Sequence, residues 1–394
     1  MPQNSSLVTG PSAGGLAKED HSSLPVDPRF QDRERQPGLD LLRACAIIVV
    51  VIYHAGIMGF PTPGRFHRWG WIGVDLFFAL SGYLIGGQLL ASLARSQSID
   101  LKRFFARRAL RIMPAYFVIL AIYIFLPSWR EYPDMYPWWK FLVSVQNIGL
   151  HGGTAFSHAW SLAVEDQFYL GLPFILLFVN RWPRGAIIIP CLIFFGGILL
   201  RTFLAYQHPA EVSGVAFRDY QAWIYYPTWT RLDPLVFGVA LAAIEKFRPS
   251  WWDRLMGFAV WLWLPAFALI IFALWLGEGE YLEFSTVIWQ FPLLAISFTA
   301  LLICAVSPRS FLSRVKVPGA AFIASIAYSA YLVQKLVING VAEFCRSHDI
   351  DLTSAPALIG VEICVYAAAA VLFFAIERPF LKLRHRLAPL RSRE

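Results

Sequence analysis

Residues 41–60 read LLRACAIIVVVIYHAGIMGF, a run of twenty residues that is apolar or small apart from an arginine, a tyrosine and a histidine. A helix needs about 20 apolar residues to cross a bilayer, so we predict that this stretch is a membrane span. Nine further stretches predict spans in the same way, and they are 71–94, 112–127, 160–180, 186–206, 223–244, 255–276, 285–306, 320–343 and 356–376.

The composition of the chain favours the same class. Hydrophobic residues make up 57% of its 394 residues and charged residues 15%, against roughly 45–50% and 25% in soluble proteins. A soluble protein of this length has no interior large enough to bury so much apolar surface. The five Cys form no CxxC pair, which argues against a zinc or redox centre. We therefore predict an all-α, polytopic transmembrane bundle of about ten spans.

The Lys and Arg residues are divided unevenly between the loops. With a cytoplasmic N-terminus, 25 of the 34 fall on the cytoplasmic side and six on the outer side. The positive-inside rule then predicts that both termini are cytoplasmic. This bias also accounts for most of the net charge of +8, so membrane lipids are expected partners and nucleic acid is not.

The remaining segments are predicted from their polarity. Residues 1–37 are polar and predict a disordered cytoplasmic tail, and the first apolar run is long enough to remain as a span rather than serve as a cleaved signal. Residues 38–385 form the predicted membrane domain, and 386–394 a basic cytoplasmic tail. The stretch 128–159 is predicted to be interfacial or re-entrant.

Eight ionisable residues of the predicted spans lie in the outer halves, and the inner halves hold almost none except at the rim, where Arg43 lies. A charge within a span costs several kcal/mol and usually marks function. Some of these residues lie close enough to a span end to reach water, but His54, Asp75 and Glu165 together predict a polar cavity that opens outward. The residues placed in this way are His54, Asp75, Glu165, Arg201, Arg231, Asp233, Lys335 and Glu362.

The first span carries Arg43 and His54 eleven residues apart. At ~100° per residue this is three turns plus about 20°, so both side chains face the same way, roughly 16 Å apart along the axis. We predict a cation at the cytoplasmic rim and an imidazole available for proton transfer. A lone histidine in a span is also often structural, hydrogen-bonded to a neighbouring helix.

The second span opens near Asp75. This carboxylate is a candidate for orienting the imidazole, or it lies at the rim of a helix that serves only packing. In the same span Gly82 and Gly86 form a small-xxx-small pair, which lets another helix approach closely.

Three arginines follow at helical spacing before the third span. Arg107, Arg108 and Arg111 share one helical face at the cytoplasmic surface. Guanidinium forks suit phosphate oxygens, although an anchor for acidic lipid explains them as well.

The fourth span begins WSLAVEDQFYLGLP at residue 160. Ser161, Glu165 and Tyr169 fall on one face at i, i+4 spacing. Adjacent acids in an apolar span are costly, and a buried Glu can donate or accept a proton. Glu165 is therefore a candidate catalytic carboxylate.

Four motifs in this order resemble those of the acyltransferase-3 family of bacterial integral membrane acyltransferases. Residues 43–54 are similar to its Arg-x10-His, and 73–85 (GVDLFFALSGYLI) to Gly-Val-Asp-Leu-Phe-Phe-x-Leu-Ser-Gly-Phe-Leu-Ile. Residues 107–114 (RRALRIMP) resemble Arg-Arg-x-x-Arg-Ile-x-Pro, and 160–173 resemble Trp-Ser-Leu-x-Val-Glu-Glu-Gln-Phe-Tyr-Leu-x-x-Pro. Here the second acid is Asp166, and Gln334 stands where the family commonly has His.

This resemblance implies transfer of an acyl group, usually acetyl from acetyl-CoA, to a hydroxyl of a glycan or glycolipid at the bacterial inner membrane. His54 would accept the proton, with Glu165 or Asp75 orienting its ring. No metal is expected, and no motif specifies an oligomeric state. The candidate donor-binding residues are Arg43, Arg107, Arg108 and Arg111, and the candidate substrate-binding residues are Trp160, Ser161, Tyr169 and Arg231.

Two other classes of protein fit parts of the pattern. A proton-coupled transporter of glycans or lipids would also use intramembrane His, Glu and Asp, but no internal repeat is visible and the Arg cluster has no obvious task there. A polyprenyl-phosphate glycosyltransferase would need a metal-binding acidic loop. Glu278, Glu280 and Glu283 are candidates, but a solvated loop explains them.

Overall fold

A computed structural model of the protein describes residues 36–96, 98–208, 215–278 and 283–387. Within these ranges it contains no strand, only an isolated bridge between Met135 and Ala155, so the all-α prediction is confirmed. The main helices are α1 (Pro37–Ile57), α2 (Gly73–Ser96), α3 (Leu101–Phe125), α4 (Trp160–Arg181), α5 (Gly185–Gln207), α6 (Asp233–Phe247), α7 (Pro249–Leu276), α8 (Phe284–Val306), α9 (Ala320–Ser347), α10 (Ala355–Leu372) and α11 (Arg378–Leu387).

Nine helical stretches of the described ranges are long and apolar enough to cross a membrane. They contain α1 to α5 and α7 to α10, and they correspond to nine of the ten predicted spans. The prediction of a polytopic bundle is therefore confirmed. The cytoplasmic placement of the termini stays a prediction. Residues 1–35 and 388–394 of the predicted tails lie outside the described residues.

The predicted span 223–244 differs from a regular membrane helix. Its helix α6 has 15 residues, about 22 Å of rise against a hydrocarbon core of about 30 Å. A π-helical turn, Gln221–Tyr225, and a 3-10 turn, Thr228–Thr230, precede it, and Pro227 between them lacks the N–H that a continuous helix needs. Irregular backbone at membrane depth is tolerated only where protein covers it, and Arg231 is completely buried.

Helices α2 and α6 touch along their backbones. A methyl group added at Gly82 would collide with the carbonyl oxygen of Leu235, and one at Gly86 with the side chain of Val239. The residue numbers of these contacts increase together, so the two helices run in the same direction. The close helix approach predicted from Gly82 and Gly86 is confirmed, and α6 is the partner.

Burial divides the long helices into a centre and a periphery. In the most apolar window of each helix, 72% of the residues are buried for α2 and α8, but only 11% for α5. The exposed side chains of α5 are apolar, among them Ile187, Leu192 and Leu199, which suits contact with lipid tails. In α1 and α9 the buried share of this window is 50% and 61%, and these two helices carry His54 and Gln334.

The connection 126–159 between α3 and α4 enters the bundle without crossing it. Phe141, Leu150 and Phe156 are almost completely buried, and the Phe156 ring stacks on that of Tyr123 with centroids 4.5 Å apart. Phe156 itself has a positive φ of 57°, which is a strained conformation for a bulky residue. The stretch therefore packs against the bundle, and its interfacial or re-entrant position in the membrane stays a prediction.

Candidate active site

The two ends of the bundle differ in chemistry. Short connections join α1, α2 and α3, so these helices alternate in direction and the first turns of α1 and α3 share one end. We name this the basic end, and the opposite one, where α1 finishes, the histidine end. The basic end holds Arg43, Arg107, Arg108, Arg111 and Arg384, and the histidine end holds His54, Glu131, His158 and Lys335.

His54 lies in the last turn of α1 and is 9% exposed. Its Nδ1 lies 3.0 Å from the Val50 carbonyl oxygen and 3.3 Å from Oε1 of Gln334. Both oxygens are acceptors, so Nδ1 carries the proton of the neutral ring. Nε2 is then the unprotonated nitrogen, and no described residue hydrogen-bonds to it. An imidazole held in this way can act as a general base through Nε2.

Asp75 does not orient this ring. Its two carboxylate oxygens accept hydrogen bonds from Nη2 of Arg231 at 2.7 and 2.8 Å, and both residues are completely buried. The Arg231 guanidinium also lies 4.0 Å from the Phe291 ring centroid and 5.1 Å from that of Trp160. A buried charge needs a partner, and these two charges neutralise each other. Asp75 therefore pairs with Arg231 instead of orienting His54. That Arg231 and Trp160 contact substrate stays a prediction.

A second buried ion pair lies beside the first. Nη1 of Arg201 donates to Oδ2 of Asp233 at 2.6 Å and to the Thr230 carbonyl oxygen at 2.8 Å. Arg231 and Asp233 flank the start of α6, so the two pairs tie this irregular entry to α2 and α5. Arg201 of α5 and Asp233 of α6 thus neutralise each other within the bundle.

Glu165 is half-buried on α4. It accepts hydrogen bonds from the hydroxyls of Ser81 at 2.9 Å and Tyr169 at 3.0 Å. The Arg108 guanidinium lies 5.1 Å from the Tyr169 ring centroid. Glu165 makes no hydrogen bond with His54, so the predicted carboxylate partner of the imidazole is replaced by the Gln334 amide and a backbone carbonyl.

Ser161 and Tyr331 extend these polar contacts toward His54. The Tyr331 hydroxyl donates to the His158 carbonyl oxygen at 2.7 Å, so the Ser161 hydroxyl donates to Tyr331, also at 2.7 Å. Nε2 of Gln334 donates to the Tyr331 carbonyl oxygen at 3.2 Å. One helical turn separates Ser161 from Glu165. We name the resulting set the polar column, and it contains Arg108, Tyr169, Glu165, Ser81, Ser161, Tyr331, Gln334 and His54.

The basic end gathers guanidinium groups from three helices. The predicted donor-binding residues Arg107, Arg108 and Arg111 lie in the first three turns of α3, and Arg43 forms an ion pair within α1, with Asp40 at 3.4 Å. Arg384 of α11 approaches Arg107 and Arg111 and carried no motif signal in the sequence. Several guanidinium forks in one place suit a ligand with several phosphate oxygens.

A polar pocket of about 400 Å³ opens beyond His54 at the histidine end. Glu131 on its wall lies 3.6 Å from the Lys335 ammonium, and its Oε1 also accepts the Phe156 N–H at 3.1 Å. Burial and the Glu131 charge raise the pKa of the neighbouring Tyr132. The pocket is lined by Ile57, Met58, Gly59, Glu131, Tyr132, Asn339 and Arg346.

Comparisons with known proteins identify the family of the chain. The sequence profile of the family described as "Acyltransferase domain" (Acyl_transf_3) matches residues 36–377. The chain belongs to this acyltransferase-3 family. Residues of the chain are 31% identical to the peptidoglycan O-acetyltransferase OatA of Listeria monocytogenes over 232 residues, which cover 55% of this chain and 35% of that protein.

A second relative is the O-acetyltransferase OatA of Staphylococcus aureus, which is 32% identical over 224 residues, or 53% of this chain and 34% of that protein. The chain thus spans about a third of the length of these curated relatives. No solved structure matches the chain. Among the described residues, no group of three or more His, Cys, Asp or Glu is placed to hold a metal ion.

The acyltransferase-3 motifs leave several residues of the histidine end unmarked. The centroids of the His158 and His54 rings are 6.1 Å apart. His158 lies two residues before Trp160, where the Trp-Ser-Leu motif begins. Glu131 and Tyr123 lie outside every motif. Tyr123 lies near the end of α3. Glu131 comes close to it because the connection 126–159 folds back into the bundle, and a local sequence motif carries no information on such a path.

Proposed function

We propose that the protein is an O-acyltransferase that moves an acyl group, acetyl in the first instance, from cytoplasmic acyl-CoA to a hydroxyl of a glycan or glycolipid on the outer side of the bacterial inner membrane. The observation that carries the proposal is the hydrogen bonding of His54, which leaves Nε2 as a free base at one end of the polar column. Membership of the acyltransferase-3 family and the names of the OatA relatives support it.

The basic end is suited to an acyl-CoA donor. The nucleotide portion of coenzyme A is anionic, and Arg43, Arg108 and Arg111 would bind its phosphates. The pantetheine arm would then extend along α1, since Arg43 and His54 lie on one uninterrupted helix, roughly 16 Å apart along its axis. The donor thioester would reach His54 from within the bundle.

At the histidine end, His54 would act as the general base. Nε2 accepts the proton of the acceptor hydroxyl while its oxygen forms a bond to the acyl carbon. The carbon–sulfur bond breaks, and its electron pair leaves with the thiolate of coenzyme A. The imidazolium keeps its Nδ1–H hydrogen bonds to Val50 and Gln334, both of them acceptors, so the ring holds its orientation throughout.

The polar pocket beyond His54 is the proposed entrance for the acceptor. It holds hydrogen-bonding groups of both kinds, a carboxylate on Glu131 and an amide on Asn339, together with the aromatic ring of Tyr132. Such groups suit the hydroxyls and apolar faces of a sugar. A glycan acceptor is also supported by the printed name of the Listeria relative, a peptidoglycan O-acetyltransferase.

The test uses the purified full chain in proteoliposomes with radiolabelled acetyl-CoA and candidate glycans. We expect covalent label on a glycan, and we expect His54→Gln to lower the rate by at least about 100-fold, the contribution of a general base. His348→Gln, an exposed histidine at the end of α9, is the matched control and should leave the rate unchanged. Uptake of glycan without label would favour a transporter, and a normal rate for His54→Gln would exclude the mechanism.

A further inference from the structure

Three buried polar atoms near His54 have no hydrogen-bond partner among the residues that the structure describes. They are the hydroxyl of Tyr123, Oε2 of Glu131 and Nδ1 of His158. They come from three separate parts of the chain, α3, the connection 126–159 and the turn before α4. Buried polar groups in native proteins are almost always paired, so three unpaired atoms in one region require a physical explanation.

These three residues are neighbours in space. The Tyr123 hydroxyl lies beside the Glu131 carboxylate, and the rings of Tyr123 and His158 have centroids 6.5 Å apart. Oε1 of Glu131 is already engaged by the Phe156 N–H at 3.1 Å and by the Lys335 ammonium at 3.6 Å. Only Oε2 of this carboxylate is therefore left for a further ligand.

The donors and acceptors of the three atoms complement one another. Nε2 of His158 lies 3.4 Å from the Leu332 carbonyl oxygen, so it carries the ring proton and Nδ1 is an acceptor. Oε2 of Glu131 is a second acceptor, and the Tyr123 hydroxyl is a donor. A water molecule donates two hydrogen bonds and accepts two, so these groups would use three of its four positions and leave one lone pair.

The remaining lone pair of this water could accept a hydrogen bond from His54, because the cluster lies beside that residue. The His158 ring lies 6.1 Å from the His54 ring, and Glu131 lines the pocket of about 400 Å³ at the histidine end. The Lys335 ammonium, which also donates to Ser157 at 2.9 Å, stabilises the Glu131 carboxylate. The cluster therefore lies between the proposed base and the pocket that leads outward.

We propose that Tyr123, Glu131 and His158 bind a buried water that carries the proton of the acceptor hydroxyl from His54 to Glu131. This inference rests on the proposed function. Nε2–H of the His54 imidazolium gives its proton to the water, which passes one of its own to Oε2 of Glu131. Glu131 then loses the proton to solvent in the pocket, and the departing thiolate takes one from solvent at the basic end, so the exchange balances.

The bound water is tested without any enzymatic assay. Thermal unfolding in detergent is measured for Tyr123→Phe, Glu131→Gln and the double variant. A shared water predicts that the two shifts are not additive, because the second change removes a network that the first has already broken. The matched control is Tyr116→Phe on the same helix, whose hydroxyl donates to the Phe141 carbonyl oxygen at 3.0 Å. Its shift should add to that of Glu131→Gln.

The relay is tested by acetyl transfer with Tyr123→Phe, which keeps the Glu131–Lys335 ion pair intact. We expect kcat to fall about 100-fold, the lower end of the range for a positioned proton-transfer group, and the solvent deuterium isotope effect to increase while KM for acetyl-CoA stays within about twofold. A purely structural role of Tyr123 would leave the isotope effect unchanged.

Each outcome separates the two proposals. Additive unfolding shifts for Tyr123→Phe and Glu131→Gln overturn the water site whatever the activity. Non-additive shifts with an unchanged isotope effect overturn the relay and keep the water. If the shifts of the variants are non-additive but the wild-type protein transfers no acetyl group, the proposed function and the relay are both contradicted. The water then remains as a structural element of the histidine end.

Discussion

Oε1 of Gln334 lies 3.3 Å from Nδ1 of His54, and the Val50 carbonyl oxygen lies 3.0 Å from the same nitrogen. A neutral amide thus occupies the place that a carboxylate holds in a Ser-His-Asp triad. An amide fixes the tautomer of the ring, but it stabilises the imidazolium less than a carboxylate would. The residue at position 334 therefore sets both the orientation and the basicity of His54.

Replacement of Gln334 should act on the chemical step. Gln334→Leu removes one hydrogen bond, worth about 1 kcal/mol, so we expect kcat to fall about five- to tenfold with KM for acetyl-CoA unchanged. Gln334→His introduces the residue that the family commonly has here and should retain more activity than the leucine variant. Steady-state kinetics on both variants measure this. Equal activities for leucine and wild type would show that Val50 alone holds the ring.

The arginines of the basic end should affect donor binding rather than chemistry. Arg111→Ala removes a charge-assisted hydrogen bond of about 1.5–3 kcal/mol, which corresponds to roughly ten- to 100-fold in the affinity for acetyl-CoA. Equilibrium binding of coenzyme A at two salt concentrations measures the effect. Arg254→Ala, an exposed arginine of α7, is the control. A change in kcat without a change in affinity would contradict a phosphate-binding role.

Asp75 should behave as a structural residue. Asp75→Asn leaves Arg231 as a buried charge without its counterion, which costs about 3–5 kcal/mol. We expect a large drop in the thermal unfolding temperature and a low yield of folded protein. Glu343→Gln, which breaks the exposed pair with Arg346, should change stability by at most about 1 kcal/mol. A stable Asp75→Asn protein with selectively lost kcat would restore its predicted catalytic role.

The contact between α2 and α6 should not tolerate a larger residue. Gly82→Ala places a methyl group against the Leu235 carbonyl oxygen, and such overpacking typically costs about 1–3 kcal/mol. Thermal unfolding in detergent measures the loss. Gly171→Ala on α4 is the matched control, because a methyl group there meets open space and replaces a poor helix former by a good one. Equal effects at the two positions would show that the two backbones do not touch.

The sequence by itself determined the class of the protein and the location of most spans. An apolar run long enough to cross a bilayer leaves its backbone little choice but a helix, so composition and length decide the structure locally. The same holds for the contact at Gly82 and Gly86, since small residues at this spacing exist to admit another helix. His54 could be selected as a candidate base because an imidazole in a span is rare and costly.

Only the tertiary structure decided which polar groups meet. A charged residue in a span predicts that a partner exists. The sequence does not identify the partner, because it comes from a distant part of the chain. The sequence made Asp75 a plausible hydrogen-bond partner for His54. In the structure Arg231 donates to the Asp75 carboxylate, and Gln334 is the side chain that hydrogen-bonds the His54 ring. Glu131 meets Tyr123 of α3 at the histidine end only because the connection 126–159 folds inward, a path set by packing rather than by local propensity.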